Sequence, residues 1–219
     1  MKRALLFSLI WLILGCSAAP VPDWTYQSYN ALESYKASIL EGKDNLAGLY
    51  FEKAVAETKR SGDLVLLARV YLTRMAMETV LQRPWSEKNF LSVREISPDP
   101  ENDQFYRLLR GKNGEITPAS LPTQYQEFAT ALKKEDENAA SSAIDRIEDP
   151  CSRAIAVSIC DKWQLCKERG YRTAIDTASR RGWKAVLLIY LEKLAGLQDA
   201  RGEKEQAALT RKKLDLLKD

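Results

Sequence analysis

From Trp24 onward the chain scarcely alternates apolar and polar residues, as a strand facing a core must, whereas Leu, Ala, Glu, Lys and Arg fill long windows at three- and four-residue spacing. That period lines apolar side chains along one face of a helix. The chain therefore reads as helix and turn almost throughout, an all-α protein. Of its 219 residues 45% are hydrophobic, enough for a compact core or an elongated repeat domain and too many for a disordered chain.

The N-terminus departs from this pattern. Residues 1–16 read MKRALLFSLIWLILGC: a positive start at Lys2 and Arg3, an apolar run from Ala4 to Leu14, then Gly15 and Cys16. The run is too short to span a bilayer comfortably and has the order of an export signal. Its end, Ile13-Leu14-Gly15-Cys16, resembles a bacterial lipobox, in which the cysteine is lipidated and a dedicated peptidase cuts just before it. The resemblance implies a signal peptide over 1–15 and palmitate-type acyl chains on Cys16. It also implies a lipidated tether over 16–23, which Pro20 and Pro22 keep from continuing a helix. Two or more acyl chains, at about 0.8 kcal/mol per buried methylene, hold a protein on a membrane almost permanently. Ser17 stands where an aspartate would favour inner-membrane retention, so the resemblance implies the outer membrane, with the body in the periplasm or at the cell surface. The alternative is an ordinary secretory signal cut within Ser17-Ala18-Ala19, with Cys16 incidental. No later stretch approaches the roughly 20 apolar residues of a membrane helix.

Two series of spaced residues organise the body. Ala47, Phe51 and Ala54 precede Gly62, and Leu64, Leu67, Ala68 and Tyr71 follow it; farther on, Ala140, Ala174 and Ala207 stand 34 and 33 residues apart. These resemble tetratricopeptide repeats, in which small residues let antiparallel helices approach and large ones fill the gap. The resemblance implies an α-solenoid of antiparallel helical hairpins. The alternative is an irregular helical bundle with accidental spacing. Ala47 and Ala140 are 93 residues apart, not a multiple of 34, so the array is interrupted. The interruption is expected at 83–122, which holds Pro84, Pro98, Pro100, Pro118, Pro122 and the turn pair Asn113-Gly114. The expected organisation is N-terminal helices over 24–82, an irregular insertion or linker over 83–122 with a short helix at Asp103 to Arg110, and C-terminal helical repeats over 123–219.

Charge and residue types narrow the chemistry. Loss of Lys2 and Arg3 with the signal leaves 31 cationic against 30 anionic residues, which gives no electrostatic case for nucleic acid. Histidine is absent, removing the commonest general base and zinc ligand. No nucleophile elbow or phosphate-binding glycine loop occurs, so no catalytic residue, cofactor or metal is expected. Asp99, Glu101 and Asp103 alternate like the first ligands of a calcium loop, but Gln104 replaces the glycine and Arg110 the bidentate glutamate. Glu135, Asp136 and Glu137 read as helix-end electrostatics or a solvated turn.

Cys151, Cys160 and Cys166 are an odd set in an exported chain, so at least one stays free or pairs with another chain. If 153–168 is a single helix, Cys160 and Cys166 lie about 9 Å apart in rise, and Cys151 and Cys160 about 13 Å. A disulfide needs α-carbons roughly 4.4 to 6.8 Å apart, so a local bridge requires the helix to break. The alternative is small apolar filler at a helix contact.

Carrying the tetratricopeptide register over places Lys36 and Arg69 at one repeat position, 33 residues apart, facing the concave groove that in the family takes an extended peptide or a partner helix. Two stacked cations can grip acidic side chains or a C-terminal carboxylate; the alternative is a pair of solvated charges. Trp24, Trp85, Trp163 and Trp183 are candidates for interface anchors or for the core. The expected function is a non-enzymatic outer-membrane lipoprotein that binds envelope proteins or peptide segments as an adaptor in a secretion, pilus or outer-membrane assembly machine. The alternatives are a peptidoglycan-acting enzyme with carboxylates in a helical cleft and a calcium- or ligand-binding structural module.

Overall fold

The computed structural model describes residues 23–111 and 115–218; the signal segment, Cys16, most of the tether and the Asn113-Gly114 pair lie outside the described residues. The described residues form eleven α-helices, one 3₁₀ turn at Pro118–Ser120 and no strand. The helices are α1 (Asp23–Glu41), α2 (Asp44–Lys59), α3 (Leu64–Val80), α4 (Lys88–Ile96), α5 (Pro100–Arg110), α6 (Thr123–Lys133), α7 (Glu137–Arg146), α8 (Pro150–Lys162), α9 (Lys167–Arg181), α10 (Lys184–Ala200) and α11 (Lys204–Lys218). The protein is thus all-α, and no helix among the described residues is long and apolar enough to cross a membrane.

The first hairpin is built on small residues. Ala47 and Ala54 are fully buried, so α2 comes close to α1, and Phe51 between them fills the gap against Tyr35 at 5.2 Å between ring centroids. Near the start of α1, Ser28 and Thr58 share a 2.6 Å hydrogen bond across the same seam. Gly42 ends α1 with φ of +90°, a conformation that side chains resist, and a β-carbon there would lie 3.5 Å from Ala185 on α10. Asp63 then caps α3, its carboxylate accepting the Leu66 amide at 2.9 Å.

The C-terminal half pairs α6 with α7, α8 with α9 and α10 with α11. Ala140, Ala174 and Ala207 fall on the second helix of each pair, and all three are buried. Contacts between successive hairpins are not the whole architecture. The helices close a circuit in which α1 touches α3, α3 touches α8, α8 touches α9, α9 touches α10, and α10 returns to α1. In an open solenoid each hairpin touches only its neighbours. Here the two halves share one continuous core.

Residues 83–122, expected to be irregular, instead hold α4 and α5, and α5 begins at Pro100 rather than at Asp103. The reason lies in helix-end chemistry: Pro100 occupies the first turn, where its missing N–H costs nothing, and Asp99 accepts the Asn102 amide at 2.9 Å. Both helices pack on α3, and Phe90, Leu108 and Leu109 are buried. The segment is part of the core.

The 153–168 stretch does break. α8 ends at Lys162, and left-handed backbone at Gln164 and Cys166 turns the chain back, so that Cys160 and Cys166 form a disulfide with α-carbons 5.9 Å apart. Cys151 remains a buried free thiol. Trp163 and Trp183 are core residues, whereas Trp85 is half-buried with the Lys162 ammonium 5.5 Å from its ring centroid.

Candidate functional site

Lys36, from the fourth turn of α1, and Arg69, from the second turn of α3, line one cleft of about 340 Å³. The cap at Asp63 and the packing of Leu67 and Ala68 fix the rotation of α3 that turns Arg69 outward. Leu72, Met77, Phe105 and Ile155 give the cleft an apolar lining. The first turns of α5, α6 and α8 also open onto it, through Asn102, Tyr125 and Ser152.

Two of those helix ends are already satisfied. Asp99 accepts the Asn102 amide, and Asp149 accepts the Ser152 amide at 2.7 Å. The side chain of Asn102 is itself fixed, donating to the Val65 carbonyl at 3.1 Å, which ties α5 to α3 at the mouth of the cleft. At α6 no side chain caps the helix, and Pro122 precedes its first residue. The amide end of α6 thus keeps its partial positive charge in the cleft wall.

Both cations are held loosely at the rim. Arg69 donates to Glu101 at 3.1 Å, and both side chains are about half exposed. Lys36 pairs with Glu33 at 2.5 Å on its own helix. Burial disfavours its charged form, but the hydrogen bond to Glu33 and the negative groups nearby outweigh burial and raise its pKa above the ordinary lysine value. Lys36 therefore stays cationic. The half-exposed Arg69–Glu101 pair contributes little, so an incoming carboxylate competes with Glu101 at small cost.

Cys151 also lines the cleft, and its Sγ lies 3.8 Å from Met77 Sδ. Burial pushes the thiol up to about 12, only partly opposed by Lys36, so it stays protonated and unreactive at neutral pH. Alkylation of the folded protein should leave Cys151 unmodified at about pH 8. Unfolding without reductant should make Cys151 reactive while Cys160 and Cys166 stay blocked. Peptide mass spectrometry reads each site separately, and labelling of Cys160 before reduction would contradict the bridge.

The other acidic positions singled out in the sequence have structural roles. Asp99 caps α5, Glu101 meets Arg69, and Asp103 pairs with Arg94 at 2.7 Å. Asp136 caps α7, accepting the Ala139 amide at 2.9 Å. No cluster of metal-ligating side chains occurs among the described residues. The cleft residues that sequence reasoning missed are Tyr125, Asp149 and the thiol of Cys151. The available signal was the pair of Asp-Pro steps, Asp99-Pro100 and Asp149-Pro150, each of which marks a helix start.

These features define an all-helical protein with an apolar cleft rimmed by two cations and by helix N-termini. Comparison with protein-family models, with curated proteins and with solved structures finds no match to this chain.

Proposed function

We propose that the chain is a lipid-anchored outer-membrane protein, an adaptor whose tetratricopeptide-like hairpins hold an acidic or carboxylate-terminated segment of another envelope protein. The observation that carries this reading is the convergence of Lys36 and Arg69, 33 residues apart in sequence, on one apolar-lined cleft. An extended segment lays its apolar side chains against the partly exposed Phe105, over the buried Leu72 and Met77, and its carboxylate between the two cations. The amide end of α6 adds to the pull on a negative group. Buried alanines at 34- and 33-residue spacing on α7, α9 and α11 support the hairpin reading, with α1 closing the array onto α10.

The test is mild in-cell crosslinking of the membrane-anchored protein, affinity purification and mass spectrometry, run beside the Lys36→Glu/Arg69→Glu double variant. A reproducible envelope partner is expected, and its recovery should fall at least about ten-fold in the variant, which corresponds to about 1.4 kcal/mol. Circular dichroism should show the variant folded, since both positions lie on partly exposed faces. Undiminished capture by the folded variant excludes the cleft, and release of sugar fragments from sacculi by purified protein moves the reading to a peptidoglycan enzyme.

A further inference from the structure

A second cleft, of about 190 Å³, lies between α2, α3 and the chain leading into α4. Its size is below the roughly 300 Å³ at which drug-sized pockets begin, which suits a ligand of about a dozen heavy atoms or fewer. Phe51, Tyr71 and Trp85 form aromatic walls, and Met75 is buried beneath them. The walls are fixed: Phe51 packs on Tyr35 and Tyr71, and Trp85 is held from α8 by Lys162, whose ammonium also donates to the Leu109 carbonyl at 3.2 Å.

Two opposite charges face this space from one helix. Arg74 and Glu78 are a turn apart on α3, so their β-carbons stand about 6 Å from each other. They form no salt bridge together. The Arg74 guanidinium lies 4.8 Å from the centroid of the Phe51 ring, held by the ring face. Arg83, the other cation acting on Glu78, commits both terminal nitrogens to Asp44, at 2.9 and 3.2 Å. Glu78 is left half-buried, its carboxylate without a hydrogen-bond or ion-pair partner among the described residues. Behind it Tyr35 is buried with no partner for its hydroxyl, and Glu78 is the charge that acts on it most strongly.

We propose that this cleft binds a free α-amino acid with an apolar side chain, its carboxylate on Arg74, its ammonium on Glu78 and its side chain among Phe51, Tyr71 and Trp85. A purely anionic ligand meets Glu78 and a purely cationic one meets Arg74. A ligand carrying both charges on one carbon satisfies both. The guanidinium fork suits a carboxylate, and the aromatic walls exclude water from one side of each ion pair. Burial raises the Glu78 pKa, against the opposing pull of Arg83 and Arg74, which is the signature of a carboxylate short of a cationic partner.

The experiment is calorimetric titration of the detergent-solubilised full chain with leucine, methionine and phenylalanine up to about 10 mM, a range that detects even millimolar, weak one-site binding. Saturable binding of at least one is expected, weakened ten-fold or more in Arg74→Gln and in Glu78→Gln. The N-acetyl and amide derivatives, which mimic the last and first residues of a peptide, should not bind the unaltered protein. Because that comparison uses one folded protein, it does not depend on the variants' stability. Three results would each overturn the assignment: no saturable binding of any of the three amino acids, equal binding by both folded variants, or equal binding of the blocked derivatives. The outcome is independent of the lipid anchor and of the Lys36 and Arg69 cleft.

Discussion

Alanine in place of Phe90 should cost about 3–5 kcal/mol and lower the midpoint of a single cooperative unfolding transition. Phe90 is almost fully buried, and its ring stacks on Tyr106 at 4.8 Å between centroids. Truncation opens a void between α4 and α5, whose neighbours can close it only partly. The loss is not local, because α4 and α5 both pack on α3 and α3 packs on α8. Tyr106 in turn donates to Glu87 just before α4, so the variant also loosens that tie. Against a total stability of about 5–15 kcal/mol, the change removes a large share. Urea unfolding followed by circular dichroism and by tryptophan fluorescence checks it. Two separated transitions, or a cost below about 1 kcal/mol, would mean that 83–122 is a detachable insertion.

Serine in place of Cys16 should abolish acyl labelling and leave the leader uncut. Attachment of the lipid at this position needs the sulfur nucleophile, and a serine hydroxyl at its ordinary pKa does not replace a thiolate. Fractionation alone is a poor readout, since an uncut apolar leader can itself hold the chain at a membrane. The decisive measurement is incorporation of a labelled fatty acid together with the mass of the processed N-terminus. Unchanged label and mass in the serine variant would remove the lipid anchor from the reading and return the segment to an ordinary secretory signal.

Much of the helical architecture is legible in the chain. The small-large-small order of Ala47, Phe51 and Ala54, and the Leu67-Ala68 pair after Gly62, are buried where two helices meet. Such positions depend on neighbours a few residues away, which periodicity reports directly. The 83–122 segment was harder, because proline is read as a breaker although at the first helical position it starts a helix. The Asp-Pro step at 99–100 within it carries that information, as the one at 149–150 does for α8. The Cys160–Cys166 bridge depends on a helix end made by Gln164 and Cys166 in left-handed backbone, with no glycine to announce it. In the cleft, Lys36 and Arg69, which the expected repeat register put at one position, line the same space. Tyr125, Asp149 and Cys151 come from distant parts of the chain, brought beside them by tertiary contacts such as that of α3 with α8, which local spacing does not report.

Tension has a defined route through this fold. A pull applied to the chain ahead of Asp23 enters along α1, which packs against α2, α3 and α10. A load on α1 therefore meets contacts with three helices, among them the Ser28–Thr58 bond and the tilted Tyr35–Phe51 ring contact. By contrast, α11 packs on α10 and can be peeled away one turn at a time. The first helix is thus tied to three others, whereas the last is tied chiefly to one.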